Sequence, residues 1–155
     1  MRLPIRLVAA IGLSAAAILM PTIQGHEGTK LVPYKDPVGK WTDCSGNTLN
    51  VDPGRVRTPE ECAAIDAEAI ARHAEGVLHC LPQLAGHDKQ IVAFVDLAYN
   101  VGVAKFCGSE TAGLIRAGKM REACEAITTW CKECYLPGIR KRRDEMRALC
   151  LEGLE

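Results

Sequence analysis

His26-Glu27-Gly28-Thr29-Lys30-Leu31-Val32-Pro33-Tyr34-Lys35-Asp36-Pro37-Val38-Gly39-Lys40-Trp41-Thr42 is the stretch on which the reading of this chain turns. It holds two carboxylates, Glu27 and Asp36, separated by residues rich in turn formers. A helix ending near Glu27, then a turn and a short strand, brings both carboxylates to one cleft. Paired carboxyls of this kind suit acid and base work at a glycosidic bond, one protonating the leaving oxygen and the other assisting attack. Exposed Glu and Asp are common, however, so spacing alone does not settle the matter.

Outward from this stretch, residues 25–53 carry Gly28, Pro33, Pro37, Gly39, Ser45, Gly46, Asn47 and Pro53 between short apolar pieces. That texture predicts a small hairpin or three-stranded sheet. It then changes. Thr58-Pro59-Glu60-Glu61 is a helix start, with a capping threonine, a proline at the first helical position and a glutamate to close a capping box. Helix is expected from there to about Gly76. Asp88 is expected to cap a second helix through Ile91, Val92, Val95, Ala98 and Tyr99, ended by Gly102. Ser109 starts a short third helix ending near Gly118, Met120 to about Trp130 forms a fourth, and Pro137 opens a fifth. The architecture is α+β and mainly α: a small β-containing lobe over about residues 25–57 and a helical lobe over about 58–151. A ligand cleft belongs between the two.

Composition narrows the function classes. Net charge is zero, with 8 basic and 9 acidic side chains in residues 1–78 and 11 and 10 in the rest. Broad nucleic-acid binding has no support in that balance. The local basic run Arg140-Lys141-Arg142-Arg143 reads as a solvated helix face near Asp144 and Glu145. Eight cysteines are present, at 44, 62, 80, 107, 124, 131, 134 and 150. Only Cys131 and Cys134 form a close pair, and no histidines stand at ligand spacing, so no metal or cofactor is expected. Disulfides in an oxidising compartment are the better account, most of them bracing the helical lobe. His73, His79 and His87 read as surface or capping residues. Trp41 is suited either to sugar stacking or to packing under the hairpin, and Trp130 to the core.

The N-terminus supports export. Arg2 and Arg6 precede Leu7–Ile23, a run of 17 residues with no charge. Charge before the run and none within it places the N-terminus in the cytoplasm. The run falls short of the ~20 residues that span a bilayer comfortably, and five alanines, Gly12, Ser14, Pro21 and Thr22 dilute it. A cleaved signal, with Ala15-Ala16-Ala17 as its small-residue site, a permanent anchor and a marginal, releasable anchor all fit this pattern.

The full string resembles the phage lysozyme (muramidase) family, whose motif is Glu, eight residues, Asp, five residues, Thr. Glu27, Asp36 and Thr42 fit all three positions. The likeness continues through Phe94, Leu97 and Tyr99-Asn100-Val101-Gly102, then Trp130 and Leu136-Pro137-Gly138-Ile139 leading into Arg142-Arg143 and Glu145. It covers roughly residues 24–151. The resemblance implies a two-lobed lysozyme-like fold and cleavage of the β-1,4 bond between N-acetylmuramic acid and N-acetylglucosamine in peptidoglycan. It implies Glu27 as general acid, holding its proton near neutral pH. Asp36 would orient or activate water and stabilise the charge growing on the sugar, and Thr42 would hold that water, with inversion at the anomeric carbon. One departure stands out. Asn47 occupies the place where the family carries histidine, and Asp43 adds a carboxylate beside Thr42, which bears on cleft geometry and pH dependence. His26 reads as a helix-end histidine making an ordinary hydrogen bond, or as a tuner of Glu27. Lys89 and Gln90 are candidates for contact with wall peptide.

In this family a helix leads directly into the glutamate, and cleavage at Ala17 would strip much of it away. Residues 1–24 therefore resemble the signal-arrest-release segment of some phage endolysins. Such a segment is exported uncleaved, holds the enzyme at the periplasmic face of the host inner membrane through residues 7–23, and later slips out. The remainder, 25–155, is expected to be the lysozyme domain, a monomer with peptidoglycan as its partner and no nucleic acid. Two other functions compete: a catalytically inactive wall-binding protein of the same fold, and a lytic transglycosylase, which uses an acid but no water. No cysteine lies in the apolar segment, so release is expected to depend on membrane exit rather than on thiol exchange with Cys44.

Overall fold

A computed structural model describes residues 3–132 and 134–155. The apolar N-terminal run is not one straight helix. It forms α1 (Ile5–Ile11) and α2 (Leu13–Glu27), bent by 117° at Gly12. Gly12 takes φ +85°, a left-handed value that glycine adopts without a Cβ penalty, and so ends one helix and begins the next. Among the described residues no single helix is long and apolar enough to cross a membrane, although the bent pair passes that test jointly by length and composition. Here the pair is packed into protein: Leu7, Ile11, Ala15, Ala16, Leu19, Met20 and Ile23 are all buried in the main core. Removing this apolar surface from water is the main force holding the segment in place. Arg6 fastens its outer end, pairing with Glu75 at 2.6 and 2.8 Å and with Glu68.

The β lobe is a two-stranded antiparallel hairpin, β1 (Lys30–Lys35) and β2 (Trp41–Cys44). Tyr34 faces Thr42 and Lys35 faces Trp41, and the register is irregular between Lys30 and Tyr34. Pro33 falls in that interval and has no N–H to give the ladder. Of the two expected forms, the hairpin is the one found.

Helix α3 (Pro59–Cys80) opens with the anticipated capping box: Thr58 accepts from the Glu61 amide at 3.1 Å, and Glu61 accepts from the Thr58 amide at 2.9 Å. It runs past Gly76 to Cys80, because glycine within a helix costs only ~1 kcal/mol and Val77 is buried in the core. Helix α4 (Asp88–Val101) is the centre of the fold, and Gln90 through Ala98 are all buried. Asp88 does not cap this helix. It is the first helical residue, and His87 precedes it without a side-chain cap. A short α5 (Val103–Cys107), absent from the sequence reading, turns the chain immediately after Gly102. Ser109 caps α6 (Glu110–Arg116) as anticipated. The fourth expected helix ends early, as α7 (Met120–Ala126) followed by a 3-10 turn at Ile127–Thr129. Helix α8 (Ile139–Glu152) begins two residues after Pro137 and packs along α4.

All eight cysteines are paired, as 44–62, 80–107, 124–150 and 131–134. The last three brace the helical lobe, and Cys44–Cys62 ties the hairpin to α3. The basic run near the C-terminus is not a solvated face. Arg140 and Lys141 are exposed, but Arg142 and Arg143 are only 4% and 1% exposed. Successive helix positions point in different directions, so a four-residue charge run cannot all face water on a helix packed against a core. Trp130 lies against the core, donating from its indole to Thr111 at 2.9 Å. Trp41 is partly exposed on the hairpin, near the Lys35 ammonium. Gln90 is buried and donates to the Cys150 carbonyl, and Lys89 pairs with Glu152, so both are engaged in closing α4 onto α8.

Candidate active site

A cleft of about 730 Å³ lies between the hairpin and the helical lobe, and Glu27, Asp36 and Thr42 all line it. Glu27 is the last residue of α2, which the burial of Leu19, Met20 and Ile23 fixes against the core. Its Oε1 accepts from the Arg142 guanidinium at 2.7 Å. Its Oε2 lies over Gly46, where a Cβ would come within 3.2 Å of it. Gly46 also holds φ +79°, so the backbone favours glycine there and any larger residue would crowd the Glu27 carboxyl.

Asp36 sits at the hairpin tip. Its Oδ1 accepts from the amides of Val38 at 3.0 Å and Lys40 at 2.8 Å, which orients the carboxylate and leaves Oδ2 for solvent or a ligand. Thr42 is buried and its hydroxyl donates to the Lys40 carbonyl at 3.0 Å. Its oxygen lone pairs therefore remain available to accept. Asp43, next on the strand, does not line the cleft, because strand neighbours project to opposite faces. It is buried between Arg57 Nε, at 2.9 Å, and the Asn47 amide, at 2.7 Å. The expected extra carboxylate beside Thr42 is thus a structural ion pair, and it also engages the asparagine that replaces the family histidine.

The cleft floor, Cys44 to Asn47, is held from three directions. Cys44 has a left-handed φ of 51° and is bonded to Cys62. Asp66 on α3 accepts from the Ser45 amide at 2.9 Å and its hydroxyl at 2.8 Å, and Tyr99 on α4 donates to the Ser45 carbonyl at 2.7 Å. Burial, together with the nearby charges of Asp43 and Glu27, raises the Asp66 carboxyl above its ordinary value despite the Ser45 bonds. Burial and the charges of Glu27, Asp36 and Asp43 raise Tyr34 in the same way, keeping a neutral hydroxyl on the cleft wall.

His73 also lines the cleft, not the surface. Its Nδ1 lies 2.6 Å from the Ala69 carbonyl, which can only accept, so Nδ1 carries the proton. The ring lies 4.5 Å from that of Tyr99, and burial pushes the imidazole below its ordinary value, favouring the neutral form. His79 and His87 are exposed.

Behind Glu27 a buried charge network was illegible in the sequence. Arg142 grips Asp96 bidentately, with Nε–Oδ2 and NH2–Oδ1 both 3.0 Å. Burial opposes the Arg142 charge, but Asp96 and Glu27 more than offset it and raise its value. Asp96 is likewise opposed by burial, but His26 and Arg142 hold it below the ordinary carboxylate value. The one available signal was that Arg142 and Glu145 fell within the segment resembling the family's last helix.

Two lobes closing on a cleft, with carboxylates from a helix end and a hairpin tip, define a lysozyme-like glycosidase. Comparison with known proteins gives the family. The Phage lysozyme family profile matches residues 24–146. A SAR-endolysin of Enterobacteria phage P21 is 32% identical, covering 94% of this chain and 93% of its own length. A SAR-endolysin of Escherichia phage 933W is 34% identical over 94% of this chain and 90% of its own. Among solved structures, the active form of the P1 phage endolysin Lyz has the same fold, with a TM-score of 0.75 at 24% identity, covering 94% of this chain and 87% of that one. The chain belongs to the phage lysozyme family, and it is an endolysin-class enzyme that lyses peptidoglycan.

Proposed function

We propose that this endolysin hydrolyses the β-1,4 bond between N-acetylmuramic acid and N-acetylglucosamine with inversion, using Glu27, Asp36 and Thr42. Glu27 delivers a proton from Oε2 to the leaving oxygen while Oε1 stays on Arg142. Asp36 and Thr42 hold the attacking water on the opposite face of the sugar, and Asp36 stabilises the oxocarbenium charge. One observation supports this reading above the others: all three side chains line one cleft, and Asp36 and Thr42 each retain unused acceptor capacity there. Such acceptors have a role in managing water and none in a transglycosylase, which needs no water. Analysis of digested peptidoglycan tests the proposal. A reducing end of inverted anomeric configuration is expected. A 1,6-anhydro end would instead identify a transglycosylase, and intact glycan an inactive wall-binding protein.

The same reading includes the N-terminus. Residues 1–24 export the chain and hold it, by residues 7–23, at the periplasmic face of the host inner membrane; the monomeric enzyme is then released to the periplasm. Leu7, Leu19 and Ile23 cannot face lipid and fill the protein core at once. The fold described above is therefore the released state, and residues 25–155 acquire their complete core only on release.

A further inference from the structure

His26 immediately precedes Glu27 but does not line the glycan cleft. It opens instead on a separate groove between α2 and α8, bounded by Pro21, Thr22, Gly25, Gly138 and Met146. Its Nδ1 is 3.0 Å from Asp96 Oδ1, and its Nε2 is 2.9 Å from Glu145 Oε2. Carboxylate oxygens only accept, so both ring nitrogens must carry hydrogen, and the geometry is that of an imidazolium. An unbroken chain results: Glu145, His26, Asp96, Arg142, Glu27.

We propose that His26 is a positioning residue for Glu27: its imidazolium shares Asp96 with Arg142, and so leaves Arg142 free to hold the Glu27 carboxyl with Oε2 toward the cleft. With His26 charged and Glu27 carrying the proton it delivers, the five groups carry two positive and two negative charges. When His26 loses its proton, one of its two carboxylate neighbours faces a nitrogen lone pair. Asp96 is fully buried and cannot turn to water, so the remaining N–H stays on Nδ1 toward it and the exposed Glu145 faces the lone pair; the positive charge balancing Asp96 is then that of Arg142. Arg142 is shared between two carboxylates, and a stronger pull from Asp96 weakens its hold on Glu27. Turnover therefore falls as His26 deprotonates, while glycan affinity does not. Among the described residues, the charged groups facing His26 are Asp96 from α4 and Arg142 and Glu145 from α8, with Lys141 beside Glu145. Burial alone would lower the His26 value, but Asp96 and Glu145 outweigh it and hold it above the ordinary imidazole range.

This inference rests on Glu27 being the acid, and the experiment separates the two. Full-length released enzyme is assayed on peptidoglycan from about pH 6 to about pH 9, spanning the imidazole range. In the wild type, kcat should fall through an alkaline limb. His26→Gln should lower kcat about 10-fold, within the ~100-fold that misplacing a reacting group by 1 Å can cost. It should also displace that limb from its wild-type position and leave KM within about twofold. Glu145→Gln, a change at an exposed position, should shift the limb to lower pH by removing one of the two anions that favour the imidazolium. A wild-type limb in His26→Gln, or a change in KM at constant kcat, overturns the positioning role. Should His26→Gln fail to fold, an unmoved limb in Glu145→Gln overturns it equally. Full turnover by Glu27→Gln removes Glu27 as the acid and with it the basis of this inference.

Discussion

Leu13 and Leu19 offer a paired test of the two lives assigned to the N-terminal segment. They lie two and four residues from Ala15, the middle of the 7–23 run, so each contributes at similar depth in a bilayer. In the fold they differ completely: Leu19 is 0% exposed within the main core, and Leu13 is 64% exposed. Truncating Leu19 to alanine removes a fully packed isobutyl group, at a cost of ~2–5 kcal/mol. At roughly 2–4 °C per kcal/mol for a chain of this size, Tm should drop by roughly 4–20 °C. Leu13→Ala removes the same atoms from a surface position. It should change stability by less than ~0.5 kcal/mol, which is at most about 2 °C. In the membrane each leucine is worth only ~0.3–0.6 kcal/mol at the centre of a span. Both variants should therefore leave the bilayer somewhat more readily than the wild type, and to similar extents. Calorimetry on soluble, uncleaved enzyme measures the first effect, and the soluble fraction after membrane fractionation measures the second. Equal Tm shifts in the two variants, or an unchanged Tm in Leu19→Ala, would refute the burial of this segment in the released enzyme.

Glu27→Gln should lower lytic activity at least ~100-fold, the scale of general acid catalysis; near-normal clearing of a cell-wall suspension would count against Glu27. Collapsing the membrane potential of expressing cells should trigger lysis without a pore-forming partner, and intact-mass measurement should find Met1–Ile23 retained; an N-terminus near Ile18 would indicate cleavage instead. Reductant should lower thermal stability, since closing loops of this order contributes ~2–4 kcal/mol each, without activating the tethered form. Eight free thiols in denatured periplasmic protein, or lysis provoked by mild reductant at intact potential, would contradict one half or the other. The two half-buried histidines should act on stability with opposite signs. His26 has a raised value, so its contribution is complete below the ordinary 6.5 and is lost as pH rises through the folded value. His73 has a lowered value, so the fold loses stability as pH falls through 6.5. Relative to His26→Gln, the wild type should thus be more stable in acid, and relative to His73→Gln it should gain as pH rises. Urea midpoints across pH test both, and the reverse ordering would dispose of the assignment.

The sequence by itself determined the lobes and most helix starts, because each rests on local rules. The Thr58–Glu61 box satisfies amides within one turn, and the turn formers from Gly28 to Gly39 pointed to short strands, as a hairpin or a three-stranded sheet. The Glu27, Asp36 and Thr42 pattern was legible only through its resemblance to the phage lysozyme motif, since the spacing of two carboxylates alone left their role open. Tertiary structure alone decided how distant charges are shared. Arg142 looks like its solvated neighbour Lys141 until α8 packs on α4, where burial leaves its charge no partner but Asp96 and Glu27. Asp43 looked like a cleft carboxylate until the strand pleat turned it toward Arg57. His73 looked peripheral until α3 was tied to the hairpin through Cys44–Cys62 and Asp66. The apolar run held the deepest ambiguity, since its composition suits a bilayer and a protein core alike. Only the bend at Gly12 and the partners brought around Leu7, Leu19 and Ile23 make it part of the core, because burial energy depends on what surrounds a side chain and not on its identity alone.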